Sequence, residues 1–230
     1  MQWTQLFGKD YNPISTSRPG IDNSTVAVPT GLYQFEIGTN LTTGMGIDTT
    51  ISIPVLLRMG VYKNTELQVG FANKYLTLGL LYGGISNING LENSIIFSTS
   101  LTKNNDSLSE YSIYLPIRYS FKSGCSIGSQ LVGTFFNNVE LDPIINYSLS
   151  IMSSFGDKTS WFFEVYQAQT IGNETLIEAI PISVDYGITY LSDNNIQYDM
   201  SMGLTIQKDH SDYTETERFF EWGIAFRLPD

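Results

Sequence analysis

A chain of 230 residues with 42% hydrophobic content is long enough for one all-β barrel or sandwich and gives no compositional reason for disorder. Its charged fraction of 15% lies well below the roughly 25% of ordinary soluble domains, and a net charge of −11 excludes nucleic acid as a partner, because phosphate contacts need clustered Lys and Arg. The single cysteine, Cys125, excludes an internal disulfide, a zinc cluster or a redox pair.

Residues 1–30 are irregular, punctuated by Pro13, Pro19, Gly20 and Pro29 in a Ser/Thr-rich stretch without a period. They are expected to form a separate N-terminal segment, either periplasmic or plugging a lumen, with Arg18 as the candidate plug residue. From residue 31 to residue 230 a period of two is almost unbroken. Tyr33, Phe35 and Ile37 alternate with Gln34, Glu36 and Gly38; Ile51, Ile53, Val55, Leu57 and Met59 alternate with Ser52, Pro54, Leu56 and Arg58. Two further strands carry Leu67, Val69 and Phe71, then Leu76, Leu78, Leu80 and Tyr82, and a fifth near Ser94–Leu101 is ambiguous in face.

The sixth strand is the clearest, with Tyr111, Ile113, Leu115, Ile117, Tyr119 and Phe121 opposing Ser112, Tyr114, Pro116, Arg118 and Ser120. Strands through Ser126–Phe136, Ile145–Ile151 and Trp161–Val165 follow. Val184–Ile206 then reads as a long hairpin turning at Ser192-Asp193-Asn194-Asn195, and Phe220–Leu228 closes the series. About twelve strands are expected and no amphipathic helix. Tight turns near residues 62–64, 122–124, 156–159 and 192–195 alternate with longer links near 41–49, 102–110, 137–143, 167–178 and 207–217, except that the link near 72–75 is short and the one near 84–93 is long for a turn. Short and long connections in alternation predict an up-and-down antiparallel barrel with turns on one rim and loops on the other.

Three features put the apolar face against lipid rather than in a soluble core. All seven lysines (Lys9, Lys63, Lys74, Lys103, Lys122, Lys158 and Lys208) fall in the expected turns, loops or N-terminal segment, and lysine facing mid-bilayer costs roughly 2–4 kcal/mol. The opposite face is rich in Gly, Ser, Asn and Gln with isolated Arg and acidic groups, as a lumen would be. Strand lengths of about 10–12 residues suit a bilayer crossed at a tilt, whereas soluble strands run about 5–6. Tyr33, Tyr82, Tyr111, Trp161, Tyr190, Tyr198 and Trp222 are expected near strand ends on the apolar face, where interface girdles form. The fold expected is therefore a transmembrane β-barrel. No basic start leads into an apolar stretch, so no signal peptide is expected within the chain.

Thr16-Ser17-Arg18-Pro19, Pro29-Thr30-Gly31-Leu32-Tyr33-Gln34-Phe35-Glu36-Ile37-Gly38, Leu56-Leu57-Arg58-Met59-Gly60-Val61 and Asp185-Tyr186-Gly187-Ile188-Thr189-Tyr190-Leu191 carry a resemblance. So do Glu66-Leu67, Leu76-Thr77-Leu78-Gly79-Leu80, Glu164-Val165-Tyr166 and Gln197-Tyr198-Asp199. From about residue 14 onward the chain resembles the bacterial outer-membrane barrel family of transporters linked to the meta-pathway of phenol degradation. It departs where Ser17 replaces a usual acidic residue and where the chain ends Leu228-Pro229-Asp230 rather than on an aromatic. The resemblance implies outer-membrane location and passage of small, aromatic or hydrophobic compounds.

Enzyme chemistry is not expected. The single histidine, His210, sits in an acidic stretch with Asp209, Asp212, Glu215 and Glu217, which reads as a solvated loop without a second base. No metal site and no cofactor are expected. The lumen is expected to be lined by Glu36, Arg58, Glu66, Gln68, Arg118, Glu164, Tyr166, Asp185, Gln197, Asp199, Glu221 and Arg227. These groups serve either as a selectivity ladder or as pairs that fill a narrow lumen. The expected function is a channel for small molecules, with outer-membrane lipid and a small solute as partners. The alternative is a closed barrel acting as a structural or partner-binding component of an envelope complex.

Overall fold

A computed structural model describes residues 13–17, 22–44, 47–86, 88–102, 109–138, 141–171, 181–208 and 214–229. Arg18 and His210, with Asp209 and Asp212, lie outside the described residues. Among the described residues every regular element is a strand. They are β1 (Leu32–Gly44), β2 (Ile47–Ser52), β3 (Val55–Tyr62), β4 (Thr65–Ala72), β5 (Tyr75–Gly83), β6 (Leu91–Thr102), β7 (Ser109–Ser120), β8 (Cys125–Phe136), β9 (Ile144–Phe155), β10 (Thr159–Thr170), β11 (Ile182–Asp193), β12 (Ile196–Lys208) and β13 (Thr214–Pro229). Each pairs antiparallel with the next in the chain except β2 and β3, which both pair with β1, and β13 pairs back onto β1 from Leu32↔Pro229 to Gly44↔Glu217, which closes the sheet.

The thirteen strands occupy twelve places in the wall. The stretch expected as one second strand is broken at Ile53-Pro54, because proline has no N–H to give to a ladder. Its two parts, β2 and β3, both lie against β1, through Asn40↔Ser52 and through Ile37↔Val55. Gly38 N–H donates 3.1 Å to the Pro54 carbonyl across the break. Residues 41–49, expected as a loop, are therefore mostly strand. β4 and β5 are 8 and 9 residues long, shorter than expected, and their turn at Asn73-Lys74 makes the loop rim dip. Asn73 there and Asn64 at the neighbouring turn hold the left-handed φ values of 52° and 60°, a conformation asparagine tolerates.

Burial is inverted relative to a soluble fold. The outward positions are large and apolar, with Tyr186 56% and Leu149 61% exposed, while Gln34, Glu36, Arg58, Glu66, Gln130, Glu164 and Asp185 are buried. Only lipid makes such an outer surface stable over a whole barrel; in water, contiguous apolar patches of this extent mark aggregation or interaction surfaces. Two expectations about the outer surface are corrected. Lys208 is the last residue of β12 rather than part of a loop, and Trp222 lies midway along the sixteen-residue β13, not at an end. β13 is longer than expected because its pairing with β12 continues to Lys208↔Thr214.

Candidate functional site

The lumen holds part of the N-terminal chain. Ile14 N–H donates 2.9 Å to the Asn194 carbonyl, and Gln197 Nε2 reaches Thr16 Oγ1 at 2.9 Å on β12. Ser17 N–H donates to both oxygens of Glu36, at 3.2 and 3.1 Å. Further along, Asn23 gives its backbone and side-chain N–H groups to Gln130 Oε1 on β8, at 2.9 and 3.0 Å. Asp22 accepts from the hydroxyls of Ser148 and Ser150 on β9. Thr25 Oγ1 donates 3.0 Å to Glu92 on β6, and Val28 N–H donates 2.7 Å to Glu66 on β4. A backbone with no strand partner of its own must satisfy its polar groups elsewhere, and here inward side chains of the wall supply them.

Arg58 organises this contact. Its guanidinium forks onto Glu66, Nε to Oε1 at 2.7 Å and Nη2 to Oε2 at 2.9 Å. Nη1 reaches Glu36 at 3.1 Å and the Ser15 carbonyl at 2.7 Å, and Nη2 reaches the Val26 carbonyl at 2.9 Å. All five N–H donors of an arginine are thereby used. Arg58, Glu36 and Glu66 are each 0% exposed, so the three charges stand or fall together. Gln34 and Gln68 donate from either side, to Glu36 and Glu66 at 2.8 and 2.7 Å. Register explains the cluster: Arg58 faces Gln34 across β1 and Gln68 across β4, so Glu36 and Glu66 fall diagonally beside it. Gly60, on the same inward face, lies where the segment crosses β3; a methyl group there would overlap the Pro29 and Val28 carbonyls.

On the far side, β10 to β13 bring Glu164, Asp185, Gln197, Asp199, Glu221 and Arg227 onto inward positions, Glu221 being half-buried and the others buried. Glu164 and Asp185 face each other in register, and Ser201 faces Glu221. Asn40 Nδ2 donates 2.8 Å to Glu221, and Arg227 donates to the turn, Nε to Asn195 Oδ1 at 3.0 Å and Nη2 to the Asn194 carbonyl at 3.1 Å. The rings of Phe162 and Phe219 lie over Gly187 and Gly203, where a Cβ would collide with them.

Arg118 is half-buried and faces Glu92 across the β6–β7 pair. Glu92 was missed from the sequence because β6 begins at Leu91, inside what reads as a Gly/Asn-rich turn. Asp22 was missed because the N-terminal segment has no period that fixes where a side chain points.

Space remains on both sides of the crossing at Asp22 and Asn23. A cavity of about 220 Å³ near the turn rim is bounded by Asp22, Arg118, Lys158, Phe162, Glu164 and Gln197. A neighbour of about 450 Å³ reaches from Glu92 and Arg118 to Cys125 and Met152. Toward the loop rim, a chamber of about 230 Å³ is bounded by Tyr114, Gln130, Val132, Thr134, Asn146 and Tyr166. Another of about 250 Å³ lies over Glu36, Gln68 and Ile96.

No family model matches the chain, and no curated protein does. Solved structures do match. The COG4313 outer membrane channel from Pseudomonas putida F1 superposes with a TM-score of 0.69 over 92% of this chain and 99% of that one, at 10% identity. The NanC porin gives 0.62 over 84% and 100%, at 8% identity. The CymD monoaromatic hydrocarbon channel gives 0.56 over 88% and 89%, at 8% identity. At these identities the likeness is one of fold. With its closed sheet, polar interior and apolar exterior, the chain is a porin-like transmembrane β-barrel of the outer-membrane type.

Proposed function

We propose that the protein is an outer-membrane channel for small molecules, narrowed from within by its own N-terminal segment. The observation that carries this reading is the pair of lumen spaces on either side of the crossing at Asp22 and Asn23, enclosed by a wall whose buried face is polar. Twelve places give a lumen between the filled eight-stranded barrels and the wide porins. Residues 13–17 and 22–30 take up part of that width, and Glu36, Arg58 and Glu66 fasten them.

The remaining lumen groups, Gln68, Arg118, Glu164, Tyr166, Asp185, Gln197, Asp199, Glu221 and Arg227, line the path. Small aromatic compounds are the proposed solutes. The chamber between Tyr114, Val132 and Tyr166 offers ring faces and about 230 Å³, room for a single-ring molecule. The resemblance to the phenol-degradation type of transporter and the likeness to a monoaromatic hydrocarbon channel point the same way. Planar-bilayer recording of refolded protein tests the channel. Discrete conductance is expected, larger when residues 1–30 are removed, and silence of both forms at all voltages and salts would sink the reading.

One observation favours a second reading, a closed barrel that serves an envelope complex. The Arg58 cluster and the segment use the lumen's polar groups on each other, as a structural filling would. Co-purification of a stoichiometric envelope protein, with no conductance, would establish it.

A further inference from the structure

The spaces in the lumen differ in charge. Asp22, Arg118, Lys158 and Glu164 border the 220 Å³ cavity, Glu92 and Arg118 the 450 Å³ one, and Glu36 the one over Gln68. No charged side chain borders the chamber of about 230 Å³ toward the loop rim. Register builds this chamber from two inward rows. Tyr114, Val132 and Asn146 stand opposite one another on β7, β8 and β9, and Gln130, Ser148 and Tyr166 do so on β8, β9 and β10.

Most of the chamber's polar groups are already engaged. Gln130 Oε1 accepts both N–H groups of Asn23, the Ser148 hydroxyl donates to Asp22, and Thr134 meets Ser112 at 3.0 Å. Tyr166 hydrogen-bonds Ser183, which stands opposite it on β11. The Tyr114 hydroxyl and the Asn146 amide are the exceptions. Among the described residues neither has a hydrogen-bond partner, and both side chains are half-buried at the cavity wall. Between them lies the buried Val132. An apolar floor flanked by a few open polar groups is the arrangement that holds and orients a small ligand.

The open pair sets the substituent that a solute must carry. An amide presents an oxygen acceptor and two N–H donors, and a phenolic hydroxyl both donates and accepts. A hydroxyl or carboxamide on the solute answers both groups, whereas a bare hydrocarbon covers them and leaves them without partners. The surroundings disfavour a charge. The inward charges next along the strands are acids: Glu164 two residues along β10 from Tyr166, Glu110 four along β7 from Tyr114, and Asp22 behind Ser148. They oppose a carboxylate, and an ammonium would shed its water where no carboxylate borders the space.

We infer that Asn146 and Tyr114 are the specificity-determining residues of the lumen. They hold the hydroxyl or carboxamide group of an uncharged single-ring solute whose ring lies over Val132, between Tyr114 and Tyr166. The inference rests on the channel reading and names the substituent and the residues that read it. Blockade of the single-channel current of refolded full-length protein tests it, with benzamide, benzoate and benzylammonium as probes of one size and three charges. Benzamide is expected to halve the current at the lowest concentration of the three. In Asn146→Leu that concentration should rise about tenfold, the scale of losing a hydrogen bond and leaving its partner unpaired. Tyr114→Phe, which removes only the hydroxyl, should raise it severalfold.

The heat-dependent gel mobility of a folded barrel checks each variant. Should Asn146→Leu not fold, Asn146→Ala and Tyr114→Phe carry the comparison. Benzoate or benzylammonium blocking at a lower concentration than benzamide overturns the inference and leaves the channel standing. So does benzamide blockade that is unmoved in the folded variants, or no blockade of an open channel by benzamide at all. No conductance in any form of the protein overturns the channel reading and this inference with it.

Discussion

Two walls of one barrel use the same alphabet to different ends. On β1, β3 and β4, inward glutamates meet an arginine and the N-terminal segment, and every strong donor and acceptor has a partner within about 3 Å. On β10 to β13, inward acids stand among glycines, serines and flat phenylalanine rings, and Asp185 and Ser201 keep acceptor atoms with no donor. The first wall is knitted by one arginine and its two glutamates, whereas the second has no such single centre among its printed hydrogen bonds. The difference separates a wall fastened to the N-terminal segment from one whose inward acids are spread over four strands.

The comparison predicts its own failures, beginning with the wall of β1, β3 and β4. Arg58→Met strands Glu36 and Glu66 in a buried site, at a loss of about 3–5 kcal/mol. Urea unfolding in detergent should show it, and unchanged stability would mean the cluster is not the fastening described. The outer faces should not distinguish the walls, since both meet lipid. Leu57→Arg on β3 and Met200→Arg on β12 are each expected to lose roughly 2–4 kcal/mol in the same measurement, and a harmless substitution at both would contradict a lipid-facing exterior.

Gly60→Ala strikes the segment where its backbone crosses β3 and should weaken folding by about 1–3 kcal/mol, the scale of overpacking. Raised conductance should accompany it, and normal conductance with a normally stable barrel would show that the segment does not narrow the pore there. The smallest stability effect belongs to the wall of β10 to β13. Asp185→Asn keeps the volume of a buried side chain whose Oδ1 has no hydrogen bond, so stability should hold or rise, by no more than about 1 kcal/mol. A loss as large as that of Arg58→Met would show the two walls to be equally structural.

Much of this could be read from the alternation alone. Parity along a strand is conserved by pairing, so once one face was assigned to lipid, Glu36, Arg58, Glu66, Glu164, Asp185 and Asp199 had to point inward together. The lysine distribution and strand lengths made that assignment before any coordinate was known. Which charges meet was another matter. Arg58 lies diagonal to Glu36 and Glu66 because of the registers Gln34↔Arg58 and Arg58↔Gln68, and register depends on turn geometry summed around a closed sheet. Glu92 was hidden because Leu91 starts a strand among turn-forming residues, and Ile95-Ile96 gave the same strand two apolar faces. In the structure Ile96 turns inward opposite Leu81 and both are buried, the kind of apolar lumen position that alternation does not anticipate.

By itself the sequence determined the class of fold, the lipid and lumen faces and an acidic interior, because those follow from period, composition and the placement of charge. Tertiary structure decided the break at Pro54, the placement of residues 13–17 and 22–30 in the lumen and the gathering of Glu36 and Glu66 onto Arg58. Each of these depends on contacts between residues far apart in the chain, such as Asn23 with Gln130 and Asp22 with Ser150. An aperiodic segment carries no signal of its destination until a closed barrel supplies the groups that receive it.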